Sequence, residues 1–252
     1  MATPTFPQIS FNRNAVSPVE CIKGGWELIK NQYWLVLGMC IVGWMIAAAV
    51  PLGILMGPMM CGLFLTFFKM RRGETVEFGT LFKGFEYLGQ SIIATLLHVI
   101  PIMCIVIPAY ILFYVFFLVA MVAQGGQQDP NGVALLAVVV IYVLFWLAVM
   151  ALIMFISIGF MFVYPLIVDR GLMGIDAVKW SFKAAMANFW GLLGLVFLNF
   201  LLSVAGLLMC FVGVYFVLPI SYSAIATAYE QVFGLNQVSL PPNTPPPPPV
   251  FS

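Results

Sequence analysis

An all-α polytopic membrane fold is predicted, with six transmembrane helices arranged as three tandem units of surface helix plus hairpin. Three observations predict it. The 252 residues are 63% hydrophobic and only 8% charged, against a globular norm of roughly 45–50% and 25%. Apolar stretches long enough to cross a bilayer recur along the chain. Every basic residue falls into alternate connections between them. A mean hydropathy of +1.09 excludes a soluble globular domain, a disordered chain and a nucleic-acid binder, because only acyl chains can cover this much apolar surface.

The first fifteen residues, MATPTFPQISFNRNA, are polar and carry Pro4 and Pro7. They lack the apolar core of a leader peptide, so the N-terminus is expected to stay on the side of synthesis. Residues 1–16 read as a disordered cytoplasmic segment, 17–234 as the transmembrane domain, and 235–252 as a proline-rich cytoplasmic tail.

The apolar stretches fall at about 33–50, 52–70, 91–123, 134–168, 191–208 and 212–229. Each supplies the roughly 17–25 residues that a span requires. Pro51 with Gly53 marks the first turn and Gly206 through Gly213 the third. The middle pair is longer than a hydrocarbon core of about 30 Å needs, so these helices are expected to tilt, break or project. Pro101 and Pro108 can kink one leg and the Ser157–Gly159 region can bend the other. A bent, projecting hairpin tipped by GGQQDPNG at 125–132 is the favoured form.

Threading follows from charge placement. All ten Lys and Arg residues precede the first span or lie between spans two and three or four and five. The positive-inside rule then puts both termini in the cytoplasm and the chain in the cytoplasmic membrane.

Three amphipathic segments occupy that face, at about 17–32, 76–90 and 173–189. In the first, Ser17 is placed to cap the helix, Pro18 to open it and Glu20 to complete a capping box. Val19, Ile22, Trp26 and Ile29 share one face at helical spacing. In the second, Phe78, Leu81, Phe82, Phe85 and Leu88 oppose Lys83 and Glu86. In the third, Ile175, Val178, Trp180 and Phe182 oppose Lys179 and Lys183. Such helices lie in the headgroup plane, with Trp26, Trp34, Trp180 and Trp190 as interfacial anchors. Lys69, Arg71 and Arg72 sit at the end of span two, and Asp169 with Arg170 at the end of span four. They are expected to contact lipid headgroups or each other.

An internal repeat supports the three units. At an offset of 156 residues, Val19–Gly38 aligns with Ile175–Gly194 without a gap, and four of twenty positions are identical: Lys23/Lys179, Trp34/Trp190, Leu37/Leu193 and Gly38/Gly194. Glu20/Asp176 and Tyr33/Phe189 are conservative. The returning spans also share a proline, Pro58, Pro165 and Pro219.

Chemistry is sparse. No nucleophile elbow, phosphate loop, zinc motif or paired-carboxylate pattern occurs, and no Cys/His spacing suits a metal, so no enzyme activity, cofactor or metal is expected. Cys40, Cys61, Cys104 and Cys210 lie in apolar runs, where cysteine acts as a small hydrophobe. Cys21, on a surface helix, is open to acylation. His98, three residues before Pro101, and Asn199, near the middle of the fifth span, form the candidate intramembrane polar site. His98 is expected to hydrogen-bond a carbonyl freed by the kink, and Asn199 to bond between helices, worth about 0.6–2 kcal/mol. The tail PPNTPPPPP at 241–249 is either a polyproline docking peptide or a solvated terminus.

The segments GPMMCGLFLTFFKMRRGETVEFGTLFKGF (57–85), YPLIVDRGLMGIDAVKWSFKAAMANFW (164–190) and LPISYSAIATAYEQVFG (218–234) resemble a broad group of uncharacterised bacterial multi-pass membrane proteins. That group includes the membrane domain attached to some glycerophosphodiester phosphodiesterases. The resemblance implies a six-helix membrane domain without catalytic residues, since the phosphodiesterase domain is missing. The expected function is a non-enzymatic scaffold or accessory subunit that organises protein partners or lipids, with a protein partner or homo-oligomer as the natural assembly. The alternative is a transporter, channel or lipid carrier with a cavity between the repeats.

Overall fold

The computed structural model describes residues 10–50, 53–124, 132–208 and 213–235. Most of the 125–132 tip loop, part of the first and third turns and the proline tail lie outside these residues. The elements are α1 (Pro18–Ile29), α2 (Tyr33–Ala49), α3 (Met56–Arg71), α4 (Leu88–Gln124), α5 (Gly132–Phe160), α6 (Val163–Arg170), α7 (Gly174–Ala187), α8 (Phe189–Leu208) and α9 (Gly213–Phe233). Short 3₁₀ segments precede α2 (Lys30–Gln32) and α4 (Phe78–Tyr87). No strand occurs among the described residues.

Among the described residues, four stretches are long and apolar enough to cross a membrane: Pro18–Ala49, Phe78–Val119, Val139–Arg170 and Phe189–Leu208. Two of the six expected spans, α3 and α9, do not join them. α3 has only 16 residues. α9 has 21 but carries Tyr215, Tyr222, Tyr229, Thr227 and Glu230. These two helices are the interior of the protein. Phe64, Phe67 and Phe68 of α3 and Tyr229 and Val232 of α9 are buried, so protein rather than lipid covers much of their surface.

Helical segments form at all three amphipathic stretches, the second as 3₁₀ helix, and each packs on another helix: α1 on α9, the Phe78–Tyr87 segment on α3, and α7 on α5 and α6. In α1 the buried stripe is Cys21, Gly25 and Ile29. Val19 and Trp26, expected on the same face as Ile29, are 53% and 44% exposed. In α7 the buried residues are Gly174, Ala177, Ser181, Ala184 and Ala185. Small side chains let helices approach closely, and Val19 and Trp26 of α1 and Ile175 of α7 turn outward. The closest approach is between α3 and Phe78–Tyr87, where a Cβ on Gly62 would overlap the Leu81 carbonyl and one on Gly84 would overlap the Pro58 carbonyl.

Ser17 is the N-cap of α1 with Pro18 following, but its side chain makes no capping bond. The capping box expected with Glu20 is not how this helix starts. The Ser17 N–H donates instead to Gln231 Oε1 at 3.0 Å, which docks the first turn onto α9. The reciprocal box occurs where it was not expected, between Glu77 and Thr80 at the start of the 3₁₀ segment.

In the middle pair, α4 runs unbroken for 37 residues through Pro101 and Pro108, about 55 Å at 1.5 Å per residue. Its partner breaks between α5 and α6, beside the expected Ser157–Gly159 bend. Ser181 of α7 inserts there: its hydroxyl donates to the Gly159 carbonyl at 2.6 Å and accepts the Phe162 N–H at 3.1 Å. A side chain thus satisfies the backbone groups that the break frees.

Left-handed glycines follow α3, α6 and α9, at Gly73, Gly171 and Gly234. Pro58 and Pro219 each stand fifteen residues before theirs, whereas Pro165 stands six before Gly171. The proline expected in all three returning helices is therefore equivalent only in α3 and α9.

Candidate functional site

The densest polar cluster lies where α3, α6 and α9 end together. Lys69 and Arg71 occupy the last turn of α3 and Arg170 that of α6, where cations offset the partial negative charge of the helix terminus. At the centre is Asp169, whose side chain is 0% exposed. Tyr229 of α9 donates its hydroxyl to Asp169 Oδ2 at 2.8 Å. Arg170 Nε lies 3.1 Å from the same oxygen, and Arg72 reaches Oδ1 at 3.5 Å. The Arg170 guanidinium also donates to the carbonyls of Phe233 and Gly234, at 3.0 and 3.2 Å. Arg71 donates to Glu230 at 2.8 Å and to Thr227 at 3.2 Å. Burial raises the Glu230 carboxyl above its ordinary range, and Arg71 opposes that rise. Lys69 sits 3.9 Å from Glu74.

The four residues expected at headgroups, Lys69, Arg71, Arg72 and Arg170, are therefore paired within the chain, Arg71 and Arg72 across helices. Asp169 with Arg170 and Arg72 is pairing among the juxtamembrane residues themselves, while Arg71 and Lys69 take Glu230 and Glu74. Sequence reasoning missed Tyr229, Thr227 and Glu230. Their signal was a run of polar groups ending an otherwise apolar helix.

His98 and Asn199 lie on different helices, α4 and α8, and no hydrogen bond joins them among the described residues. His98 of α4 is half-buried and stacks on Phe160 of α5, with ring centroids 4.5 Å apart and planes within 8°. Phe160 in turn meets Phe182 of α7 edge-on at 5.3 Å. Nε2 of His98 has no hydrogen-bond partner, so that nitrogen does not make the expected bond to a carbonyl freed by the kink. Asn199 lies on α8, and its buried Oδ1 is likewise unpartnered. The polar bonds between helices come from other residues: Trp44 Nε1 to the Tyr222 hydroxyl at 3.0 Å, Thr95 with Tyr164 at 3.0 Å, and the Tyr33 hydroxyl to the Phe216 carbonyl at 2.7 Å.

The tryptophan anchors divide. Trp34 and Trp190 are 73% and 79% exposed, one at the start of α2 and one at the start of α8. Trp26 is also exposed and packs on Tyr33 at 5.8 Å. Trp180 is partly buried against Phe11, with the Lys183 ammonium 4.9 Å from its ring centroid. Cys21, considered for acylation, is buried, and its thiol contacts Gln231 Oε1 at 3.2 Å.

The grooves have apolar walls. One of 260 Å³ lies between α4 and α5 at Phe113, Phe116, Tyr142 and Phe145. Another of 380 Å³ lies between α1 and α8. No three His, Cys, Asp or Glu side chains come together as a metal site among the described residues. No family model, curated protein or solved structure matches the chain.

Proposed function

We propose that the chain is a six-span protein of the bacterial cytoplasmic membrane, built as three units with both termini cytoplasmic. It serves as a non-catalytic scaffold or accessory subunit. The observation that carries the reading is the contrast between a body locked by a buried ionic cluster and two helices, α4 and α5, that hold no Asp, Glu, Lys or Arg and whose described side chains in 107–122 and 136–152 are largely exposed and apolar. A rigid body with a long apolar arm suits the holding of other membrane components.

The three-unit reading has several supports. Tyr33 and Trp34 meet edge-on at 5.6 Å and 78°, and Phe189 and Trp190 do so at 5.8 Å and 74°. Each first helix lies along the returning helix of the preceding unit, with α1 on α9 closing the series. Each returning helix ends at a left-handed glycine. The likeness to the membrane domain attached to phosphodiesterases fits the same plan.

Extraction in native lipid tests the function. A stable protein partner is expected to co-purify with the wild type and to be lost when Tyr114→Glu and Leu144→Glu place charge on the arm. A purified, reconstituted protein that moves a solute or scrambles lipid would show the scaffold reading to be wrong and would favour the transporter.

A further inference from the structure

The groove between α1 and α8 is walled by Val19 and Ile22 on one side and Leu198, Leu201 and Leu202 on the other. The one charged side chain lining it is Lys23. Its volume of 380 Å³ is within the roughly 300–1,000 Å³ of small-ligand sites. The groove opens because α1 and α8 touch closely at one end, where Pro18 packs on Gly194, and part beyond it.

Lys23 is set apart by comparison with its counterpart. Glu20 and Lys23 in α1 correspond to Asp176 and Lys179 in α7. In α7 the pair closes, with Lys179 Nζ 3.4 Å from Asp176. In α1 the same spacing gives no ion pair, and Lys23 has none among the described residues. The charge that α7 neutralises locally is left in α1 on the wall of an apolar groove. The other basic residues expected at headgroups, Lys69, Arg71, Arg72 and Arg170, already have carboxylate partners.

We propose that this groove binds an anionic phospholipid, with an acyl chain between the α1 and α8 walls and the headgroup phosphate on the Lys23 ammonium. The apolar walls require an amphiphile and exclude a free phosphate. The unneutralised cation selects a lipid of net negative charge. The inference rests on membrane placement but not on the scaffold role, so loss of a co-purifying partner would leave it standing.

Native mass spectrometry of the detergent-solubilised full chain, with phosphatidylglycerol or phosphatidylcholine added, tests it. A single lysine near an anionic headgroup gives about a fivefold preference, so the wild type is expected to retain phosphatidylglycerol about fivefold better. Lys23→Met should abolish the preference, Lys23→Arg should keep it, and Lys179→Met, whose lysine is already paired, should leave it unchanged. Leu201→Trp, which fills the groove without touching the charge, should lower retention of both lipids. Equal retention by the wild type, a preference surviving in Lys23→Met, or equal losses in Lys23→Met and Lys179→Met would overturn the proposal. Unaltered lipid retention in Leu201→Trp would do the same if Lys23→Met proved unfolded.

Discussion

Asp169→Ala is expected to destabilise the protein by about 3–5 kcal/mol, the cost of breaking a buried ion pair by removing one partner. The carboxylate is fully buried and holds Arg72 of α3, Arg170 of α6 and Tyr229 of α9. Its loss leaves two guanidinium groups without the carboxylate they share. Tyr229→Phe removes one hydrogen bond to a charged acceptor and is expected to cost about 1.5–3 kcal/mol. Because the two share a bond, the double variant should lose less than the sum. Thermal unfolding of the detergent-purified protein measures all three. An Asp169→Ala protein as stable as the wild type would mean that the cluster does not hold the three helix ends.

Gly62→Ala in α3 should cost about 3 kcal/mol or abolish folding, at the upper end of the range for overpacking. The methyl would meet the Leu81 carbonyl, which is backbone and has no rotamer to change. Gly84→Ala, which meets the Pro58 carbonyl across the same contact, should behave alike. Gly79→Ala lies in the same 3₁₀ segment with open space around it and should stay within about 0.5 kcal/mol of the wild type. The three unfolding curves separate close approach from helix propensity, since all three add the same methyl. Equal effects would contradict the packing described for this pair.

The segments that form helices were legible because apolar periodicity and turn residues mark them locally. Phe78–Tyr87 and Gly174–Ala187 fall where the amphipathic pattern placed them. The buried face of α1 was not legible. In a protein bathed in lipid, Val19 and Trp26 gain as much by facing acyl chains as Ile29 gains in the core, so hydrophobicity alone does not tell the two sides apart. The small residues do: Cys21 and Gly25 in α1, and Ala177, Ser181 and Ala184 in α7, mark the faces where backbones meet. The ionic cluster could be read only by half. Arg71, Arg72, Asp169 and Arg170 stand out as juxtamembrane charges. Their joining through Tyr229 and Glu230 depends on how helices far apart in sequence end together. His98 misled for a related reason: an ionisable group in an apolar stretch implies a polar partner, and here its ring instead stacks on Phe160.

The central claim is that apolar helices sit in a bilayer with the basic ends of α3 and α6 and both termini on the cytoplasmic side. Single cysteines introduced at Gln128, Thr5 and Ser252, reacted with an impermeant maleimide in spheroplasts before and after lysis, test it most directly. Gln128→Cys should label before lysis, and Thr5→Cys and Ser252→Cys only afterwards. Labelling of either terminus in unlysed cells, with Gln128→Cys protected, would contradict the threading and the function built on it.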